Sequence, residues 1–113
     1  MKSSQTNPKL WSALGLCMRA GKCAAGEELT LKSIRSGNAK LVVIAEDASD
    51  NTAKKFKDKC QSYHIPYIRI GTREEIGRSI GKRDRVVLAI TDTGFADLIR
   101  KHSENLSEVK DID

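Results

Sequence analysis

The sequence predicts an α/β fold: a three-layer α/β/α sandwich built on a small, mostly four-stranded mixed sheet. Three observations predict it. Two wholly apolar runs of strand length, Leu41–Ala45 (LVVIA) and Val86–Ile90 (VVLAI), read as strands covered on both faces. Segments of helical periodicity alternate with these runs and with two shorter extended stretches, in the order α-β-α-β-α-β-α-β-α. Glycine, proline or capping residues stand at the boundaries between them.

The first helix is expected over Lys9–Ala20, with Leu10, Leu14 and Cys17 on one face, Trp11 and Met18 beside it, Asn7 as N-cap and Pro8 at the first helical position. Gly21 ends it, and Lys22–Ala25 is a short extended link. A second helix is expected over Glu27–Ser36, anchored by Leu29, Leu31 and Ile34 and stopped by Gly37 before the Leu41–Ala45 strand. Asp47, Ser49 and Asp50 supply turn and cap chemistry for a third helix, Asn51–Tyr63. Its Ala53, Phe56 and Cys60 face the core, while Lys54, Lys55, Lys57 and Lys59 read as a solvated face in preference to an RNA contact. Pro66 introduces a third strand, Tyr67–Ile70, less enclosed than its neighbours because Arg69 lies within it. Thr72 caps a short helix, Arg73–Ile80, stopped by Gly81, and the last helix, Phe95–Ser103, follows the Val86–Ile90 strand. Disorder is expected only at Met1–Thr6 and after Leu106.

Composition restricts what such a domain does. A chain of 113 residues, 39% hydrophobic, supports one core, so residues 1–113 read as a single domain with its core at about 8–104. No apolar run approaches the roughly 18 residues of a membrane span, and Met1–Leu10 lacks a signal peptide's apolar centre, which points to the cytoplasm. Cys17, Cys23 and Cys60 form no Cys-x-x-Cys pair, and His64 and His102 have no Cys, Asp or Glu at metal-ligand spacing. No metal, cofactor or disulfide framework is therefore expected. A Gly-rich phosphate loop and a nucleophile paired with a base are also missing, which argues against catalysis. The net charge is +5, and Lys101–Asp113 sets two lysines against four acids, so residues 1–100 carry +7 and the tail is acidic. A basic body suits a polyanionic partner, while only 4% aromatic residues disfavours a base-stacking platform.

The segment Arg19–Ser49 concentrates the functional signal. Gly26 precedes two acids, Glu27 and Glu28, and Lys32 follows Glu28 by one turn. Two readings fit. The acids complement the helix dipole and Glu28 with Lys32 is an ordinary i, i+4 pair, or this helix start meets a polar partner. Asp47 and Asp92, which follow the two buried strands, read as caps.

At this point the chain resembles the ribosomal protein seven-Ae/thirty-e-like kink-turn RNA-binding family. Those proteins begin their second helix with glycine, a small residue, Asn, Glu, two further residues and Lys. Gly26, Glu28, Leu29 and Lys32 fall on the glycine, Asn, Glu and Lys positions. The likeness continues through AKLVVIAEDAS, NTAKK, Cys60, IPY, EEIGRSIGK and VVLAITDTGFA, from about Lys9 to Arg100, and more narrowly the chain looks like the bacterial YlxQ-type members. It implies recognition of a kink-turn or related bent RNA, ribosomal RNA among the candidates, in a ribosome or ribonucleoprotein. Distortion of an A-form helix exposes base edges that an intact duplex hides. Gly26 would admit close backbone approach, Lys32 would donate to guanine O6 or N7, and Glu28 would accept from base amino or imino groups. Lys22, Arg35, Lys40, Arg83 and Arg85 would serve phosphates. Glu27 completes the expected RNA-binding set at the helix start. The chain departs from the family at Glu28, at Leu29 and at the loop Lys82–Arg85, where the family carries small apolar residues. Two rival readings remain: an adaptor that docks on a ribonucleoprotein without reading RNA, and a small α/β enzyme.

Overall fold

The computed structural model describes residues 8–107. Its elements are α1 (Pro8–Arg19), β1 (Cys23–Ala25), α2 (Glu27–Arg35), β2 (Leu41–Ile44), α3 (Asp50–Ser62), β3 (Tyr67–Arg69), α4 (Arg73–Ser79), β4 (Val87–Ile90) and α5 (Thr93–Ser107). The expected order is therefore the observed one. Asn7, the residues before it and those after Ser107 lie outside the described residues.

The four strands form one mixed sheet in the order β1-β4-β2-β3. β4 runs antiparallel to both β1 and β2, and β3 is parallel to β2. Every residue of β2 and β4 is buried, as their unbroken apolar sequences require. Strand alternation sends their side chains to two cores. Leu41, Val43, Leu88 and Ile90 join Leu10, Leu14, Ile76 and Ile99, from α1, α4 and α5, on one face. Val42, Ile44, Val87 and Ala89 join Ile34, Phe56 and Cys60, from α2 and α3, on the other. Helices thus cover both faces, which makes the three layers. β3 is half-buried at Tyr67 and Ile68 and exposed at Arg69, as expected of an edge strand.

Local chemistry sets most boundaries. Ser49 accepts from the Thr52 N–H at 3.2 Å and starts α3. Thr72 and Glu75 form a reciprocal capping box at α4, with Glu75 N–H to Thr72 Oγ1 at 3.1 Å and Thr72 N–H to Glu75 Oε1 at 2.9 Å. Asp47 adds a cap from a distant part of the chain, its Oδ1 accepting the Arg73 N–H at 2.9 Å. α5 begins at Thr93, two residues before its expected start, because Asp92 Oδ2 accepts the Phe95 N–H at 2.9 Å. Asp92 thus caps the helix that its own turn precedes, whereas Asp47, expected to serve α3, caps α4 instead.

One anchor is corrected. Leu29 does not enter the core but is 52% exposed, whereas the buried face of α2 is Thr30, Ser33 and Ile34. Thr30 Oγ1 donates to the Ala24 carbonyl at 3.3 Å, which holds this face of the helix towards β1, and Ser33 is buried beside it. That rotation turns Leu29 outward and leaves Leu31 half-buried.

Candidate nucleic-acid interface

The antiparallel β1–β4 pair positions α2. Register pairs Ala25 with Leu88, and the Gly26 N–H donates to the Val87 carbonyl at 2.9 Å. α2 therefore starts at the Val87 end of the sheet. Gly26 is its N-cap with φ 99° and ψ 165°, in the region that favours glycine, and no side chain caps the helix. The first-turn N–H groups and the positive end of the helix dipole are left for water or an incoming anion.

The loop before β4 meets the same place. Arg85 Cδ and Nε each lie 3.9 Å from the position a Cβ on Gly26 would occupy, so the arginine stem rests on the start of α2. Arg85 Nη1 donates to the carbonyls of Arg83 (3.2 Å) and Asp84 (3.0 Å), and the Arg85 N–H donates to the Arg73 carbonyl at 3.0 Å. The guanidinium thus holds the loop's own shape, while Lys82, Arg83 and Asp84 stay exposed. Gly77 of α4 allows this: a Cβ there would stand 2.1 Å from the Arg83 carbonyl oxygen.

Glu28, Lys32 and Arg35 follow one another at i, i+4 and i+7 and are all exposed. With Leu29, Leu31 and Ser36 they line one shallow groove along α2. Glu27, next around the helix, reaches α3, with Oε1 3.8 Å from Lys55 Nζ.

Of the expected set, Gly26, Glu27, Glu28, Arg83 and Arg85 gather at one end of the sheet, and Lys32 and Arg35 extend that surface down α2. Lys22 does not join them. It precedes β1, its carbonyl accepts the Thr91 N–H at 2.8 Å, and it therefore lies at the Ile90 end, roughly 13 Å from Gly26 by strand rise. Lys40, whose N–H donates to the Ile90 carbonyl at 2.7 Å, is at that end too. Lys55 belongs to the lysine face of α3, and the packing of α3 beside α2 brings it to this surface.

The three thiols are free, Cys17 and Cys60 buried and Cys23 half-buried. Burial pushes Cys17 up to about 12, with smaller contributions from Cys23 and Asp92, and raises Cys23 and Cys60 to about 11. Such thiols are poor nucleophiles near neutral pH. Among the described residues no group of three or more His, Cys, Asp or Glu side chains could hold a metal ion, and no helix is long and apolar enough to cross a membrane.

These features define a small three-layer α/β/α protein with an uncapped, cation-flanked helix start at one end of its sheet. The family described as ribosomal protein L7Ae/L30e/S12e/Gadd45 matches residues 9–100, and the chain belongs to it. It is 57% identical over 83 residues to the RNA-binding protein YlxQ of Bacillus subtilis, covering 74% of this chain and 83% of that protein. It is 36% identical over 104 residues to the large ribosomal subunit protein eL30 of Spodoptera frugiperda, covering 87% of this chain and 88% of that one. A solved Bacillus halodurans protein, described as of unknown function, superposes with TM-score 0.81 at 41% identity, over 84% of this chain and 96% of that chain.

Proposed function

We propose that this chain acts as a single, non-catalytic, cytoplasmic RNA-binding domain that recognises a kink-turn or related bent RNA in a ribosome or ribonucleoprotein. The observation that carries the reading is the seating of Arg85 on Gly26, which joins the open start of α2 and the basic loop into one surface. Family membership and the names of the relatives support RNA as the ligand class. In this reading the α2 start enters the groove opened by the bend. Lys32 donates to a guanine edge, Glu28 accepts from base amino or imino groups, and Arg83 and Arg35 hold phosphates. Arg85 acts chiefly by fixing the loop.

The test is a titration of labelled kink-turn RNA, and of the same RNA with its G·A pairs converted to Watson–Crick pairs, at two salt concentrations. The kinked RNA is expected to bind preferentially, and Lys32→Ala to weaken that binding by about 1–3 kcal/mol. Equal affinity for the two RNAs, or an unchanged affinity in Lys32→Ala, sinks this reading. The exposed Leu29 in the same groove favours one second reading, an adaptor that docks on a ribonucleoprotein protein, under which Lys32→Ala leaves RNA affinity unchanged.

A further inference from the structure

The lysines of α3 read in sequence as one solvated face, but the fold divides them. Lys54 is engaged by Asp58 one turn on, at 2.8 Å. Lys57 lies on the side of the helix opposite Lys55. Lys55 faces α2, its Nζ 3.8 Å from Glu27 Oε1 and 5.6 Å from the centroid of the buried Phe56 ring. Lys59 follows Lys55 by one turn on the same side. α3 starts after β2 at the sheet end where Ala45 N–H donates to the Val86 carbonyl, which is also where α2 starts. The two helices therefore run side by side in one direction, with the Glu28–Lys32–Arg35 row on one and the Lys55–Lys59 row on the other.

We infer that the RNA footprint crosses this seam onto α3, where Lys55, with Lys59 behind it, holds phosphates of the RNA backbone. The inference rests on the RNA-binding reading above and adds a second surface to it. Three observations carry it. Lys55 adjoins Glu27, the residue directly after Gly26, so the two surfaces are continuous. Its ion pair joins two side chains that are 47% and 48% exposed, and a pair so solvated contributes little to stability. A phosphate can therefore take the carboxylate's place at Lys55 and release a condensed counterion from the RNA. Lys55 Nζ also stands over the Phe56 ring, 5.6 Å from its centroid, at the flank of α3 that faces α2.

The experiment compares the salt dependence of binding to the kink-turn RNA for the wild-type chain, Lys55→Gln, Lys57→Gln and Lys32→Ala. Lys55→Gln is expected to weaken binding about three- to tenfold and to lower the slope of log K against log salt by about one. Lys57→Gln removes the same charge from the far side of the same helix and is expected to leave the slope unchanged. Equal effects of the two glutamine variants would mean a general charge effect and overturn the inference. A silent Lys55→Gln alongside a weakened Lys32→Ala overturns it too, while leaving the RNA-binding reading intact. If Lys32→Ala and Lys55→Gln are both silent, the underlying reading fails and this inference fails with it.

Discussion

Gly77 and Gly26 do different work on the same surface. At Gly77 the constraint is room: an added Cβ would stand 2.1 Å from the Arg83 carbonyl oxygen and 2.6 Å from its carbon. Alanine in a helix gains up to about 1 kcal/mol over glycine, but overpacking against backbone costs about 1–3 kcal/mol, so the clash wins. Gly77→Ala should lower the urea midpoint and also weaken RNA binding, because the displaced loop carries Arg83. An unchanged midpoint would show that the loop yields freely. At Gly26 the constraint is conformation, φ 99°, since the Arg85 contact at 3.9 Å is ordinary packing. Sequence alone marked Gly26 through its place before the acids, and Gly77 only as part of a motif. Nothing local to Gly77 reveals that a loop six residues further on lies against it.

The helices differ in how they begin. α3 and α4 carry side-chain caps, whereas α2 carries none, and that contrast leaves the first-turn N–H groups of α2 open to a polar partner. Thr72→Ala removes one half of the capping box at α4 and should cost about 1 kcal/mol in chemical denaturation. The loss should stay modest because Asp47 still accepts from the Arg73 N–H. A loss well above 2 kcal/mol would mean that Asp47 contributes little. The Thr72 cap was legible because it is a local pattern of four residues. The Asp47 cap on α4 was not, since it spans the β2–α3 and β3–α4 turns. The outward turn of Leu29 escapes the sequence for a related reason: apolar residues on a nine-residue helix allow more than one rotation. The Thr30 bond to Ala24 and the tether from Gly26 to Val87 select one of them.

Across the whole molecule, thiols sit in both cores, Cys17 in one and Cys60 in the other, with Cys23 packed at the edge of the first. Each is held above the ordinary 9.0, at about 12 for Cys17 and about 11 for Cys23 and Cys60, chiefly by burial. At neutral pH all are protonated in both states and contribute no pH dependence. As pH rises from 9 towards 11, the unfolded chain releases thiol protons that the folded chain keeps, so stability should fall with pH. Urea midpoints across that window should decline, less steeply in Cys60→Ala than in the wild type. Equal slopes would remove Cys60 from the linkage. At this scale the element order, the two buried strands and the three layers are legible in the sequence, because apolar periodicity and caps act within a few residues. The sequence also marked the helix start at Gly26 and the basic loop at Lys82–Arg85. Which cations share a surface depends on contacts made in the folded chain. Antiparallel pairing of β1 with β4 put Lys22 at the far end of the sheet, Arg85 was seated on Gly26, and the parallel course of α2 and α3 brought Lys55 to Glu27. These are contacts between residues distant in the chain. They follow from strand order and helix rotation, which no local pattern encodes.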